Sequence, residues 1–239
     1  MSRTTRWTLS VAALALIFLI ANFPATLAVR LLPATVSLAG VEGSLWNGRA
    51  TALGINGLVA QQKLAWRFDA GALLRGRIAW NLRSEHAGQP GQLRATAGVG
   101  GLALENVRLA LPVEPLAQFN PMLTGVRLRG DLQLESPRVA RNAPIHVTGS
   151  LQRAGSAMAG ELTPIGSYRF NADITAQGAG KVDLSTLNGP LQIQGSGSFE
   201  GRTGRARLLL RPETDLPGLS PLLATLPREG DDYVLTYPR

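Results

Sequence analysis

Apolar and polar side chains alternate strictly along most of the chain beyond residue 40. Residues 126–135 place Val, Leu, Gly, Leu and Leu on one face and charged or amide side chains on the other, and residues 168–177 repeat the alternation. A period of two indicates strands with one buried and one wet face, as in antiparallel sheets. Similar runs cover residues 64–68, 78–82, 145–151 and 191–199. The pattern predicts roughly ten or more strands of about five to seven residues each.

Turn residues separate these runs at regular intervals. Asn-Gly pairs occur at 47–48, 56–57 and 188–189, each between apolar alternating segments. Asn-Gly tolerates the positive φ angles that tight hairpins require, so these pairs predict hairpin connections between neighbouring strands.

Helical patterns are rare beyond the N-terminus. Two short apolar segments, residues 116–123 and 219–226, are flanked by prolines, which limit any helix there to a few turns. We interpret them as segments that cap the sheet. A candidate domain boundary lies near residues 112–124.

Several glycines fall on the apolar face of the predicted strands. Gly130, Gly149, Gly195 and Gly197 alternate in phase with Leu and Ile. One interpretation is that glycine marks turns and bulges in a β protein. The other is that the apolar face is thinned locally, which would let the sheet curve strongly.

The N-terminus carries a long uncharged segment. No charged residue occurs from Trp7 to Val29, whereas Arg3 and Arg6 precede the segment and Arg30 follows it. As a helix it would reach roughly 35 Å, enough to cross a hydrocarbon core of about 30 Å. Basic residues before the span favour a cytoplasmic N-terminus.

The predicted organisation follows from this orientation. A cytoplasmic head at residues 1–6 precedes a transmembrane helix at 7–29 and an exported, β-rich domain at 30–239. This is the organisation of a single-pass protein of a Gram-negative inner membrane, with the bulk of the chain in the periplasm. The predicted fold class is mainly β: one N-terminal transmembrane helix, then a curved, mostly antiparallel multi-strand sheet with one or two short helices.

Composition and charge narrow the class of protein. The chain has no cysteine, so an exported domain of this size has to be stabilised by its core. The net charge is +8, but the basic residues are scattered and aromatic residues make up only 5% of the chain. A nucleic-acid interface requires a concentrated basic stripe with stacking partners, so that class is excluded.

Candidate catalytic and metal-binding groups are sparse. His86 lies in a stretch with Gly and Pro that predicts an exposed loop, and His146 alternates outward on its strand, so neither is expected near a second ligand. Glu229, Asp231 and Asp232 form the densest acidic group, which we interpret as the turn before a last strand and not as a glycosidase pair. We expect no enzyme activity, no cofactor, no metal site and no small-molecule substrate.

A short motif provides a resemblance to a known family. The segment Gly43-Ser44-Leu45-Trp46-Asn47-Gly48, soon after the single apolar span, resembles the Gly-x-Leu-Trp-x-Gly signature of type II secretion system protein N, the general secretion pathway protein N family. Residues 64–66, 73–80 and 230–237 fit the same family.

The resemblance implies a non-enzymatic inner-membrane component of the machine that moves folded proteins from the periplasm across the outer membrane. Its expected partners are other type II secretion subunits, including periplasmic and secretin components, and the lipid bilayer. The alternative is an AsmA-like module that binds or transfers lipid in a curved, apolar β-groove, which is an analogy at the level of the fold.

Three tryptophans are the candidate contact residues: Trp46, Trp66 and Trp80. Trp46 either fills space beside a hairpin turn or contacts a partner or lipid, because Trp is favoured both at interaction hot spots and at membrane interfaces. It lies only 16 residues beyond Arg30, which would keep it near the bilayer.

The main alternative to the anchor is a cleaved signal peptide, because Thr26-Leu27-Ala28 resembles a small-x-small cleavage site. The apolar run is longer than a typical signal core, and Pro24 offers an end to the helix at the outer interface, so we expect the segment to be retained. Mass spectrometry of the purified N-terminus is expected to recover residues 1–29. A mature chain that begins at Val29 would contradict the anchor.

Overall fold

The computed structural model describes residues 7, 14, 18–19, 21–30, 32–55, 57–114, 127–157, 160–201 and 203–237. Within this part of the chain, every strand belongs to one sheet of 15 strands. From β3 to β13 the strands follow one another across the sheet in chain order, each antiparallel to the next, and β15 lies between β13 and β14. The predicted mainly antiparallel fold is confirmed.

The strands are β1 (Val36–Ala39), β2 (Glu42–Gly43), β3 (Asn47–Ile55), β4 (Leu58–Phe68), β5 (Ile78–His86), β6 (Gln89–Gly98), β7 (Gly101–Pro112), β8 (Leu128–Ala140), β9 (Ile145–Ser156), β10 (Thr163–Ile174), β11 (Gly180–Asn188), β12 (Leu191–Glu200), β13 (Thr203–Pro212), β14 (Arg228–Glu229) and β15 (Asp232–Tyr237).

The central strands are longer than the alternation predicted. Strands β3 to β13 contain 9 to 13 residues, because β-bulges carry the pairing past points where the alternation changes phase. Lys63 in β4 and Asn106 in β7 adopt positive φ angles of 49° and 51°, and the register with the neighbouring strand shifts beside each of them.

All three Asn-Gly pairs stand at hairpins. Gly57 (φ 80°) joins β3 to β4, and Asn188-Gly189 ends β11 just before β12; Asn56 lies outside the described residues. Asn47-Gly48 lies on the β3 side of the hairpin that joins β2 to β3, where Gly43 pairs with Gly48, so a hairpin is confirmed here too, although neither residue has a positive φ angle. Gly48 is paired with Trp66, and a Cβ on this glycine would lie 2.4 Å from the indole ring, so the position requires glycine for close packing.

The described helices are short: α1 (Ala25–Val29), a 3-10 helix (Ala70–Arg75) and α2 (Ser220–Leu223). The helix predicted over 219–226 is confirmed in this shorter form, since Pro221 starts it. Residues 115–126, which hold the other predicted helix and most of the candidate boundary, lie outside the described part. Strands β7 and β8, on either side of them, pair directly.

The predicted transmembrane helix at 7–29 includes residues that the structure does not describe, namely 8–13, 15–17 and 20. Among the described residues, no helix is long and apolar enough to cross a membrane. Residues 25–29 form the separate helix α1, which begins directly after Pro24.

The apolar side chains of successive strands share one face of the sheet. Residues paired directly across two antiparallel strands point to the same side. The pairs Trp80↔Ala95, Ala95↔Leu104 and Leu104↔Val139 therefore carry one apolar face from β5 to β8. Similar pairs continue this face through β15, so the sheet is a single layer with one dry and one wet side.

The sheet is curved where β4 approaches β7. The amide of Gln61 in β4 donates a hydrogen bond to the carbonyl of Ala110 in β7, although β5 and β6 lie between these strands in the sheet. Ala60, Gln61 and Ala110 are buried at this point. The predicted curvature is therefore present.

Large neighbours occupy the space above two cross-strand glycines, Gly149, which was predicted to thin the apolar face, and Gly180. A Cβ on Gly149 would lie 2.3 Å from the Phe170 ring, and one on Gly180 would lie 2.3 Å from the Phe199 ring. Each ring sits directly across from its glycine on the next strand. An aromatic side chain that covers a cross-strand glycine protects backbone that would otherwise be bare. The apolar face is therefore filled at these positions and is not thinned.

A segment between β13 and β15 closes one end of the apolar face. Leu219 is 2% exposed. The buried residues that form a cluster with it are Ala154, Ile165, Tyr168, Leu191, Leu210, Leu216, Leu223 and Leu226. The Tyr168 hydroxyl lies 2.9 Å from the carbonyl oxygens of both Ile165 and Leu191, and burial raises the pKa of this hydroxyl.

The two ends of the sheet therefore differ. The closed end holds this cluster and the hairpins after β3, β5, β9 and β11. The open end holds the connections after β4, β6, β8, β10 and β12. Among the described residues near the open end, the 3-10 helix packs Ala72 against the sheet, but Leu102 and Leu104 stay 76% and 37% exposed.

Gly195 tests the single-layer packing. A Cβ there would lie 2.1 Å from the Arg207 carbonyl oxygen of the adjacent strand, whereas Gly100 has open space around it. We expect Gly195→Ala to lower the free energy of unfolding by about 1–3 kcal/mol, because strand backbone has to move. Gly100→Ala should change it by less than about 0.5 kcal/mol in the same urea titrations. Equal effects of the two substitutions would contradict this packing.

Candidate functional site at the tryptophan loop

The family-like motif forms a tight loop between β2 and β3, which we call the tryptophan loop (residues 43–48). The Ser44 N–H donates to the Asn47 carbonyl at 2.9 Å, and the Asn47 N–H donates to the Ser44 hydroxyl at 3.1 Å. Gly43 has a φ angle of 89°, and a Cβ there would lie 2.5 Å from the Asn47 carbonyl oxygen. The first glycine of the motif is therefore required by backbone conformation and by space.

Three consecutive carbonyls of this loop accept hydrogen bonds from the sheet. The Trp66 indole N–H donates to the Ser44 carbonyl at 3.0 Å, and the Trp80 indole N–H donates to the Leu45 carbonyl at 3.1 Å. The backbone N–H of Phe68 donates to the Trp46 carbonyl at 2.6 Å. Buried backbone carbonyls and indole N–H groups both require partners, so this arrangement satisfies both sets.

The Trp46 side chain packs into a cluster of three aromatic rings. Its ring centroid lies 4.8 Å from that of Phe68 in an edge-on arrangement, and 6.3 Å from that of Trp80 with an interplanar angle of 10°. The Phe68 and Trp80 rings lie 5.7 Å apart. All three predicted tryptophans thus meet at one place, where they hold the tryptophan loop against β4 and β5.

The other side of the loop contacts the end of the apolar N-terminal segment. The Leu45 N–H donates to the Phe23 carbonyl at 2.8 Å, and Pro24 pairs with Ser44 as an isolated antiparallel bridge. Ala25, the first residue of α1, is 2% exposed. We call this contact the junction (residues 22–25 with 44–45). The loop therefore connects the N-terminal segment to the sheet by backbone hydrogen bonds.

A wide cavity opens at the same end of the sheet, over β9 to β13. Its volume is about 1010 Å³, and Ile145, Ile174 and Phe199 line its apolar part. His146 and Asp173 contribute polar atoms, with the His146 Nδ1 and Asp173 Oδ1 atoms 2.5 Å apart. An apolar row and a polar row, which also includes Lys181 and Ser198, thus line the cavity side by side. This suits a guest with a long apolar part and a polar part better than a compact polar substrate.

The structure corrects the sequence interpretation of the two histidines. His86 was expected in an exposed loop, but it ends β5, and its side chain is 15% exposed with Nε2 3.4 Å from an Asp131 carboxylate oxygen. The hairpin turn is shorter than the Gly- and Pro-rich sequence suggested, so His86 stays within the strand. His146 is exposed as expected, but it lies beside Asp173. In the described part of the chain, no three His, Cys, Asp or Glu side chains gather as metal ligands.

The acidic group near the C-terminus forms a turn with ion pairs. Glu229 and Asp232 pair across the turn from β14 to β15, with Gly230 at a φ angle of 63°. Glu229 forms an ion pair with Arg207, and Asp232 accepts from Arg211 at 2.7 Å. The turn predicted before the last strand is confirmed, and these carboxylates point to arginines of β13.

Sequence reasoning missed two members of the site. Phe68 alternates in phase with Trp66, but nothing in the pattern shows that its backbone binds the loop. Phe23 lies inside the apolar segment, and no feature of the sequence predicts that its carbonyl accepts a hydrogen bond from the tryptophan loop. The Phe68 contact arises from the register that brings β4 beside β3, and the Phe23 contact arises from the packing of the N-terminal segment on the tryptophan loop.

These features define a mainly β protein in which one large antiparallel sheet is attached, through a tryptophan-rich loop, to an apolar N-terminal segment. The family model for type II secretion system (T2SS) protein N matches residues 34–235. The chain belongs to this family and is a component of the type II secretion system.

Two curated relatives agree with this assignment. The chain is 28% identical over 194 residues to the type II secretion system protein N of Klebsiella pneumoniae, covering 80% of this chain and 69% of the relative. It is 24% identical over 240 residues to the type II secretion system protein N of Vibrio cholerae serotype O1, covering 95% of this chain and 94% of that protein. No solved structure matches the chain.

The ring cluster predicts a structural role for Trp46. Trp46→Ala removes the contacts with Phe68 and Trp80 and should lower the free energy of unfolding by about 3 kcal/mol, the low end for a tryptophan because the ring is only half-buried. Trp80→Phe keeps the ring but removes the donor to Leu45, and should have an effect of about 1 kcal/mol. Urea unfolding of both variants measures this. Unchanged stability of Trp46→Ala together with lost secretion would instead establish Trp46 as a contact residue.

Proposed function

We propose that this protein is a non-enzymatic, inner-membrane-anchored assembly subunit of the type II secretion system, with its β domain in the periplasm. The junction is the observation that carries the proposal. A tether that merely holds a domain near a membrane has no need of a fixed attachment. Here the backbone of residues 23–24 is hydrogen-bonded to the same loop that the sheet holds through Trp66 and Trp80.

The junction also suggests where the membrane segment ends. The Asn22 N–H donates to the Phe18 carbonyl at 3.0 Å, which is a helical contact, and Pro24 follows. A proline at this point stops helical hydrogen bonding, so we place the outer end of the span near Asn22. From Trp7 such a helix reaches only about 24 Å, so local thinning of the bilayer or snorkelling of Arg3 and Arg6 would have to match it to the hydrocarbon core. The sheet would then begin directly at the outer surface of the bilayer.

The sheet offers two kinds of surface to other secretion subunits. Its edge strands β1 and β14 contain four and two residues, and short edges limit pairing with a further strand. The apolar face is far larger, and β13 and β15 extend it to the last described residues. We therefore expect subunit contacts through this face and, to a smaller extent, through β1.

We propose a non-enzymatic role because the histidines and the C-terminal carboxylates are already paired with other side chains. Each histidine lies beside one carboxylate, and the carboxylates Glu229 and Asp232 are occupied by arginines. A general acid and base need to face a common substrate position, and the described part of the chain does not bring such a pair together.

Replacement of the N-terminal segment tests the anchor. In a strain that lacks this protein and fails to secrete, a chain with a cleavable signal peptide in place of residues 1–21 should reach the periplasm but not restore secretion. A matched chain, in which an unrelated single span replaces residues 1–21 and the junction from Asn22 onward is kept, should restore it. Secretion of a folded reporter enzyme is the readout. Full restoration by the released chain would contradict the proposal.

A lipid-binding role is the second candidate, and the cavity at the open end favours it. The cavity of about 1010 Å³ continues the apolar face and lies at the end of the sheet where the junction attaches. Acyl chains entering from the bilayer would meet Ile174 and Phe199 first.

Native mass spectrometry distinguishes the two candidates. A lipid module should carry phospholipid when the full chain is released gently from membranes, and Ala172→Arg on the apolar face should remove it. Asn171→Arg on the wet face is the matched control and should retain it. Co-purification of secretion subunits without any lipid would support the assembly role and contradict the groove.

A further inference from the structure

We propose that a rim at the open end, formed by the 3-10 helix Ala70–Arg75 and the hairpin between β6 and β7, inserts into the interfacial layer of the bilayer at the periplasmic surface of the inner membrane. This inference rests on the anchored orientation of the proposed function. It adds a second attachment, made by the sheet itself, to the one made by the N-terminal segment.

The rim exposes large apolar side chains to an unusual degree. Leu74 is 92% exposed, Val99 is fully exposed and Leu102 is 76% exposed. Leu73 and Ile78 are more than a third exposed as well. Single exposed apolar residues are common on protein surfaces, but a group of them in one place marks an interaction site.

Strand pairing brings these side chains together. Ile78 at the start of β5 is paired with Ala97 in β6, and Ala97 is paired with Leu102 in β7. Val99 forms the tip of the hairpin that joins β6 and β7. The rim is therefore one continuous surface and not a set of separate loops.

The 3-10 helix is held firmly in its exposed position. The Asp69 carboxylate accepts from the Gly71 N–H at 3.0 Å and from Arg94 at 2.5 Å. The Arg77 N–H donates to the Ala72 carbonyl at 3.1 Å, and Ala72 is buried against the sheet. The helix is capped at both ends and holds Leu73 and Leu74 in exposed positions. A segment that inserts into a membrane requires apolar side chains held outward in this way.

The charges of the rim suit a phospholipid surface. Residues 70–78 and 97–104 contain two arginines, Arg75 and Arg77, and no acidic residue, although Arg77 lies 4.0 Å from the adjacent Glu105, which also pairs with Arg94. Both arginines are exposed. Guanidinium groups bind phosphate oxygens well, and basic residues beside exposed Leu and Val are typical of segments that lie in a membrane interface.

The rim lies close to the predicted membrane span, which favours lipid over a protein as its binding partner. Trp80, two residues after Ile78, donates to the Leu45 carbonyl, and the Leu45 N–H binds Phe23 at the end of the apolar segment. The rim therefore lies at the end of the sheet where the chain would leave the bilayer. A surface so close to the predicted span meets headgroups before it meets another protein.

The chain contains no cysteine, so single labels can be placed cleanly. Full-length Leu74→Cys and Val99→Cys variants would carry an environment-sensitive fluorophore in vesicles of phosphatidylethanolamine and phosphatidylglycerol. Leu162→Cys and Val59→Cys are matched controls, because both native side chains are 52% exposed and both lie at the closed end. Quenching by lipids with a shallow spin label is compared with quenching by aqueous iodide.

We expect labels at residues 74 and 99 to shift to shorter wavelength and to lose fluorescence to the lipid quencher, and labels at 59 and 162 to respond only to iodide. Arg75→Glu together with Arg77→Glu should reduce the lipid quenching at residue 74. Iodide accessibility at residues 74 and 99 equal to that at 59 and 162 would overturn the proposal, and this is the result expected if the rim binds protein instead of lipid. No other secretion subunit is present in these vesicles, so this failure would leave the assembly role and its secretion test untouched.

Discussion

The orientation of the whole sheet depends on one loop whose backbone is bonded on both sides. The carbonyls of Ser44, Leu45 and Trp46 accept hydrogen bonds from β4 and β5, while the Leu45 N–H donates to the Phe23 carbonyl. A single residue, Leu45, thus connects the sheet to the N-terminal segment with its two backbone groups. Because hydrogen bonds are directional, they define both the distance and the angle between the sheet and the N-terminal segment. This is why the open end faces the side from which the apolar segment arrives.

A second constraint is that the sheet has one layer and one apolar face. Most sheets cover such a face with helices or another sheet. Here part of it is covered by the Leu219 cluster, and part by aromatic rings that lie over cross-strand glycines such as Gly149 and Gly180. Toward the open end the Leu219 cluster no longer covers the face, and Ile78 and Leu102 are exposed. The cavity over β9 to β13 and the exposed rim both follow from the single-layer sheet. Both lie at the open end, where the N-terminal segment attaches.

Period-two alternation predicts which face of a strand is apolar, and it did so correctly for β8, β10 and β12. It does not predict bulges, because a residue such as Asn106 changes the phase by its positive φ angle and not by its polarity. Trp66 and Trp80 were recognised as candidates, but their partners lie 22 and 35 residues away and depend on strand register. His86 was misplaced because Gly and Pro nearby suggested a loop, whereas a turn at Ala87-Gly88 was enough.

Attachment through Leu45 gives the sheet a defined geometry relative to the N-terminal segment, which the proposed assembly subunit would use to present its sheet to partners. Residue-resolved amide exchange tests this attachment most directly. In the full chain, the Leu45 and Phe68 amides should both be protected. In a chain that begins at Arg30, the Leu45 amide should lose its protection while the Phe68 amide keeps it, because Phe68 is bonded within the sheet. A Leu45 amide that exchanges equally fast in both chains would contradict the junction.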